Sequence, residues 1–324
     1  MTTRRGFLKR SLGAVALGSL TATSTQVFAA DSGDGLPIVD THQHLWDLKV
    51  VQPPWLQPGG ELTRDYVTKD YLEATAGLNF RKAVYMEVAV GDDQLVTEAE
   101  YVLGLCASPD HPTCAAVIGG RPAEAGFKAY LDRFRGSPYV KGVRHIMRQP
   151  EMLDAEGLVA GMRLLGDRGL CFDLCVSANM LAASAKIVDA CPDTRFVVDH
   201  CGNADPVAFM PKSAAPREAR HDADAWRRDM EGLANRKNTI CKISGIVSAM
   251  EKGKWTAADL APPINHCLDT FGPDRVIFAS DWPVCTRGAA LREWVAALKE
   301  IVRDRPREEQ GKLFGENAIG FYGL

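Results

Sequence analysis

The feature that most constrains this chain is a rhythm of short apolar, β-branched runs separated by longer stretches of helical period. The runs are Pro37–His42, Ala83–Ala89, Cys114–Gly119, Val140–Ile146, Cys171–Val176, Arg195–His200, Thr239–Ser244 and Arg275–Ser280. Their starts lie roughly 25 to 45 residues apart, the span of one strand–helix unit or of a unit with an enlarged loop. Amphipathic segments fall between them at Gln94–Ala107, Ala155–Arg168, Met180–Ala190, Ala223–Asn235 and Leu291–Arg303. Eight such units without a break in composition predict an α/β chain closed into one (β/α)8 TIM barrel rather than an open sheet. A length of 324 residues would admit two domains, but single barrels of that size are common.

Two irregular stretches interrupt the rhythm, at residues 48–65 and 202–222. Both follow strands, so both should overhang the C-terminal face of the barrel and shape access to it.

Residues 1–30 stand apart from this pattern. They begin Thr3-Arg4-Arg5-Gly6-Phe7-Leu8-Lys9, continue through an apolar stretch from Leu12 to Leu20, and end in Val27-Phe28-Ala29-Ala30. Paired arginines before a short apolar run resemble a twin-arginine export signal, which predicts a periplasmic or otherwise exported protein with its domain over 31–324. The run is too short to span a bilayer. Nothing else approaches eighteen uninterrupted apolar residues, so no stable membrane insertion is expected. The nine cysteines lie mostly in apolar runs without paired CxxC motifs and read as buried free thiols. A formal charge of -3 offers no basic stripe for nucleic acid, leaving a small molecule as the expected partner.

Strands buried on both faces should be apolar throughout, so ionisable groups at their ends need a reason. The first strand continues Ile38-Val39-Asp40-Thr41-His42-Gln43-His44. A period of two puts Ile38, Asp40, His42 and His44 on one face, with both imidazoles in the barrel mouth. The sixth strand ends at His200 and the eighth at Asp281. An HxH pair alone is weak evidence, and His200 or Asp281 alone could merely cap a turn. All four at strand ends form a set suited to one divalent cation, Zn2+ first, with Fe2+ or Mn2+ also fitting.

The segments Val39-Asp40-Thr41-His42-Gln43-His44-Leu45-Trp46, Asp199-His200-Cys201-Gly202 and Ser280-Asp281-Trp282-Pro283 resemble the amidohydrolase superfamily. Within it the chain is similar to the amidohydrolase-related branch of L-fuconolactonase-like and muconolactone-type lactone hydrolases. The resemblance implies that His42, His44, His200 and Asp281 are the metal and catalytic positions. Many superfamily members bridge two metals with a carboxylated lysine on the fourth strand. Here Lys141 lies near that strand's start, too deep to bridge, which favours one metal. Some related lactonases act without metal, their histidines polarising the carbonyl directly.

The expected activity is therefore opening of a sugar lactone or muconolactone by metal-activated water. Asp281 shuttles the proton, and His145 with His200 assists at the carbonyl. Glu87, a carboxylate inside an apolar strand, is a candidate for binding a sugar hydroxyl or ligating the metal. Arg144 and Arg148 are candidates for a substrate carboxylate. Lys242 either binds substrate or pairs with Asp173. Among Trp46, Trp55 and Trp282, the first and last are favoured to stack on substrate because they adjoin site motifs. The alternatives are a metal-dependent decarboxylase of an aromatic or muconate-type acid on the same fold, and an exported binding protein without catalysis.

Overall fold

The computed structural model describes residues 35–324, so the expected export segment and its boundary with the domain lie outside the described residues. Eight parallel strands form one sheet in sequence order: β1 (Ile38–Gln43), β2 (Phe80–Met86), β3 (Thr113–Gly119), β4 (Val140–Arg144), β5 (Cys171–Leu174), β6 (Arg195–Val198), β7 (Thr239–Ile243) and β8 (Val276–Phe278). A parallel bridge between Gln43 and Trp282 joins the two ends. The (β/α)8 barrel expected from the rhythm is the observed architecture.

Packing sorts the strand residues into two sets. Val39, Val84, Met86, Val117, Val197 and Ile277 belong to a small cluster that fills the barrel, joined by Ala318 and Tyr322. Their neighbours Ile38, Tyr85, Phe172, Phe196 and Phe278 belong to the larger cluster shared with the surrounding helices. The helices Leu95–Cys106, Leu158–Asp167, Leu181–Ala190, Ala223–Ala234 and Leu291–Val302 fall where amphipathic period places them. The helix Ala257–Phe271 goes beyond the segments expected, because it carries Pro262 and Pro263 in its interior. It is held at its start by the side chain of Asp259, which accepts from the Thr256 backbone N–H at 2.7 Å.

The strand ends depart most from expectation. β6 stops at Val198 and β8 at Phe278, two residues short of the expected His200 and Ser280. Beyond them the chain turns sharply: His200 has φ +55° and Asp281 φ +56°, a left-handed conformation that costs a non-glycine residue roughly 1–2 kcal/mol. Strained backbone at both positions lifts these side chains off the strand axis and over the mouth.

A period of two also fails on β1. The strand's register with β2 shifts between Asp40 and Gln43, an irregularity that re-aims the chain. Ile38 and Asp40 therefore do not share the mouth with His42 and His44. The Asp40 carboxylate instead accepts from the Tyr71 hydroxyl at 2.8 Å and from the Ser280 backbone N–H at 2.8 Å. It clamps β1 to the turn that carries Asp281.

Candidate active site

At the mouth, three imidazoles surround one carboxylate oxygen. Asp281 Oδ1 lies 3.3 Å from His44 Nε2, 3.7 Å from His42 Nε2 and 4.0 Å from His200 Nε2. Ligands about 2.0–2.1 Å from a tetrahedral ion stand about 3.3 Å apart; here His42, His44 and Asp281 offer ligand atoms within 4.8 Å of one another, as do His42, Asp199 and His200, two groups that share the His42 ring. All four side chains are buried.

The outer ring nitrogens explain why the inner ones converge. His44 Nδ1 donates to the Met86 carbonyl at 2.9 Å, and His200 Nδ1 bonds the Ser244 hydroxyl at 2.9 Å. His42 Nδ1 faces Asp199 Oδ1 at 3.5 Å; its Nε2 lies 3.1 Å from the Arg144 guanidinium, a contact that would give way to a cation bound at Nε2. Each ring is thus oriented from behind, as metal-ligating histidines require. Desolvation holds the His42 imidazole well below its usual range, which keeps it in the neutral, ligating form. Room for His200 depends on Gly245, where a Cβ would collide with the imidazole.

Beneath the rings lies a layer of buried charge. Arg144 Nε donates to Glu87 Oε1 at 2.6 Å. Lys242 Nζ donates to Asp173 and stands 3.3 Å from Asp199 Oδ1. Burial pushes the Asp173 carboxyl up to about 7 against the pull of Lys242. For Asp199, burial acts in the same upward direction and is the largest single effect, but Lys242, His42 and His200 together outweigh it and the carboxyl is held well below the usual range. Neither Asp199 oxygen makes a well-formed hydrogen bond, although both are buried. Four carboxylates (Glu87, Asp173, Asp199 and Asp281) meet two fixed cations, Arg144 and Lys242. That negative surplus, the under-satisfied Asp199 and the three inward nitrogens fit a divalent cation.

Above this floor opens a cavity of about 680 Å³, lined in part by His44, His200, Arg144, Asp281 and Trp55. Both irregular stretches reach it, one through Trp55 and the other through Asn203, Arg220 and His221. Asp205 organises the second stretch, accepting from Arg217 at 2.6 and 2.8 Å and from the Arg220 backbone N–H at 3.0 Å.

The sequence-derived candidates divide. His42, His44, His200 and Asp281 come together. Glu87 is buried behind the site, bound to Arg144 and to the Ala89 backbone N–H, rather than offered to substrate. Arg144 lines the cavity but is committed to Glu87 and His42. Lys242 resolves as the partner of Asp173 and Asp199, wholly buried and away from substrate.

His145 is not among the residues lining the cavity, whereas its neighbours Arg144 and Ile146 are. Alternation along the chain turns its ring away, and burial lowers its pKa to about 4, with Arg121 adding to the effect. Trp46 and Trp282 are also absent from the cavity wall. They pack around Tyr66, and the Trp46 indole donates to the Arg64 carbonyl at 2.7 Å. The stacking candidate at the mouth is Trp55, fixed by a 2.6 Å bond to the Val88 carbonyl. Lys141 reaches the Gly323 carbonyl, far from any bridging position. Asp199 was missed as an orienting residue, although its place beside His200 at a strand end was a signal. Gly245 and Ser244 left no such trace.

Residues 39–324 match the protein family described as amidohydrolase. The chain is 27% identical over 302 residues to an L-fucono-1,5-lactonase of Burkholderia multivorans, covering 88% of this chain and 96% of that one. A crystal structure of an amidohydrolase from Burkholderia multivorans with bound zinc superposes with a TM-score of 0.76 at 22% identity, covering 89% of this chain and 99% of that one. A 2,6-dihydroxybenzoate decarboxylase from Rhizobium shares the fold at a TM-score of 0.59 and 12% identity, over 89% and 99% of the two chains.

Proposed function

Because this chain belongs to the amidohydrolase family, we propose that it is a metal-dependent hydrolase that opens the ring of a small-molecule lactone. The observation that carries this reading is the convergence of three imidazole Nε2 atoms within 4.0 Å of Asp281 Oδ1 at the floor of a substrate-sized cavity. The lactonase relative supports a cyclic ester as substrate. The zinc-bound neighbour supports Zn2+ as the cation, and the distance of Lys141 from the mouth supports a single ion.

His42, His44, His200 and Asp281 would hold the cation. When bound, it supplies Lewis-acid polarisation and acidification of water. Asp281 borders the cavity and takes the proton from the water that attacks the lactone carbonyl. As the ring C–O bond breaks, Asp281 returns that proton to the leaving alkoxide. Arg144, in place of the expected His145, borders the cavity, its guanidinium held by the Glu87 carboxylate. Asp199, Ser244 and the Met86 carbonyl keep the three rings aimed throughout.

Export belongs to the same reading. Residues 4 and 5 are paired arginines, and nine free cysteines suit folding in a reducing compartment before transport.

The test is a pH-indicator screen of a lactone panel against chelated and metal-reloaded protein. Acid release that needs the metal supports the reading. Release of CO2 from an aromatic acid would move the assignment to the decarboxylase chemistry of the Rhizobium neighbour. Inactivity of the metal-loaded protein toward the whole panel would remove the lactonase assignment.

A further inference from the structure

The fixed charge on the cavity wall is mostly positive. Among the described residues that line it, Asp281 is the sole carboxylate, and it is engaged at the metal position. Arg148, Arg220 and Arg287 also line it, reaching the mouth from the loops after β4, β6 and β8. No described carboxylate pairs with any of the three guanidinium groups. Several other arginines are matched, as in Arg64–Asp70, Arg168–Asp132 and Arg236–Asp189. The Arg287 guanidinium lies over the Trp55 ring at 5.9 Å.

A polyhydroxylated neutral lactone needs acceptors for its hydroxyl groups, and carboxylates are the strongest that a protein offers. This wall carries neutral polar groups at Ser177, Asn179, Asn203 and Ser248, but its fixed charge is positive, arranged around the entrance to a site with a negative floor. Guanidinium groups meet carboxylates with two parallel N–H···O bonds, a geometry that neutral hydroxyls do not reproduce.

We infer that the substrate is a lactone bearing a carboxylate, which Arg148, Arg220 and Arg287 receive while the ring carbonyl reaches the floor of the cavity. This rests on the lactone-hydrolase reading and narrows its substrate class. Because the arginines are exposed, their attraction is screened by salt, and KM for such a substrate rises with ionic strength.

The test compares γ-carboxy-γ-butyrolactone with its carboxamide, using the metal-loaded full-length protein and the variants Arg148→Gln, Arg220→Gln and Arg287→Gln. The carboxylate is expected to be preferred by about 10- to 100-fold in kcat/KM, the range of one or two charge-assisted hydrogen bonds. In the variants that ratio falls, mainly through KM. Equal kcat/KM for the two probes would overturn the inference while leaving the lactonase reading intact.

Calorimetric titration with 2-hydroxyglutarate, the ring-opened acid, reads the arginine wall without turnover. Salt-sensitive binding that weakens in the variants upholds the carboxylate subsite even if neither lactone is opened. No binding, or binding unaffected by all three substitutions, overturns it.

Discussion

Lys242 Nζ lies 3.3 Å from Asp199 Oδ1, and neither side chain has any access to solvent. The same ammonium also holds Asp173, so one buried cation supports two carboxylates directly beneath the His42 ring. Burying such a charge cluster is tolerable only while its partners balance it.

Replacing that cation tests the balance. Lys242→Met should lower the unfolding free energy by about 3–5 kcal/mol, because it strands buried carboxylates without a partner. Urea denaturation measures the loss, and an unchanged midpoint would contradict the arrangement.

Gly245 sets the position of His200. Gly245→Ala should retain the far-ultraviolet circular dichroism of the native barrel but lower metal affinity by about 10- to 100-fold, the usual cost of misaligning a ligand from its supporting shell. Metal titration with a competing chelator reads it. Native affinity in the variant would show that the ring does not need the bare Cα.

The proposed shuttle gives Asp281 a role that its amide cannot fill. Asp281→Asn should reduce turnover by about 10²- to 10⁴-fold or more, while thermal unfolding of the variant stays close to wild type. Full activity would refute the shuttle.

Stability should depend on pH through Glu98. Burial and the neighbouring Glu87 raise this carboxyl from 4.5 to about 8. It accepts from the Tyr85 hydroxyl at 2.9 Å and from the Val88 backbone N–H, bonds that a glutamine oxygen can also accept. A carboxyl with a raised folded-state pKa contributes stability that is complete below its unfolded value and is lost as pH rises through the folded value. Glu98→Gln should therefore gain stability relative to wild type as pH rises from about 4.5 to 8. Parallel melting curves across that window would contradict the assignment.

These sites show how far the sequence could be read. Apolar runs and helical period located all eight strands, because burial on both faces leaves an unbroken signature. Four site residues were legible because polar groups at strand ends are expensive without a use. Asp40 was misplaced because a period-two argument assumes an unbroken register, and β1 shifts between Asp40 and Gln43. Adjacency to a motif favoured Trp46 and Trp282, but their rings pack around Tyr66 and leave the cavity to Trp55, in the stretch that follows β1. Whether a buried lysine serves substrate or structure is a question of three-dimensional partners, and for Lys242 only the coordinates name them.

The most direct test of the account is the metal content of purified, metal-reloaded protein, measured by plasma emission alongside His44→Ala and Asp281→Ala. Three imidazoles and one carboxylate holding a single cation predict one equivalent per chain in the wild type and its loss in both variants. A wild type that retains no metal, or variants that keep a full equivalent, would contradict it.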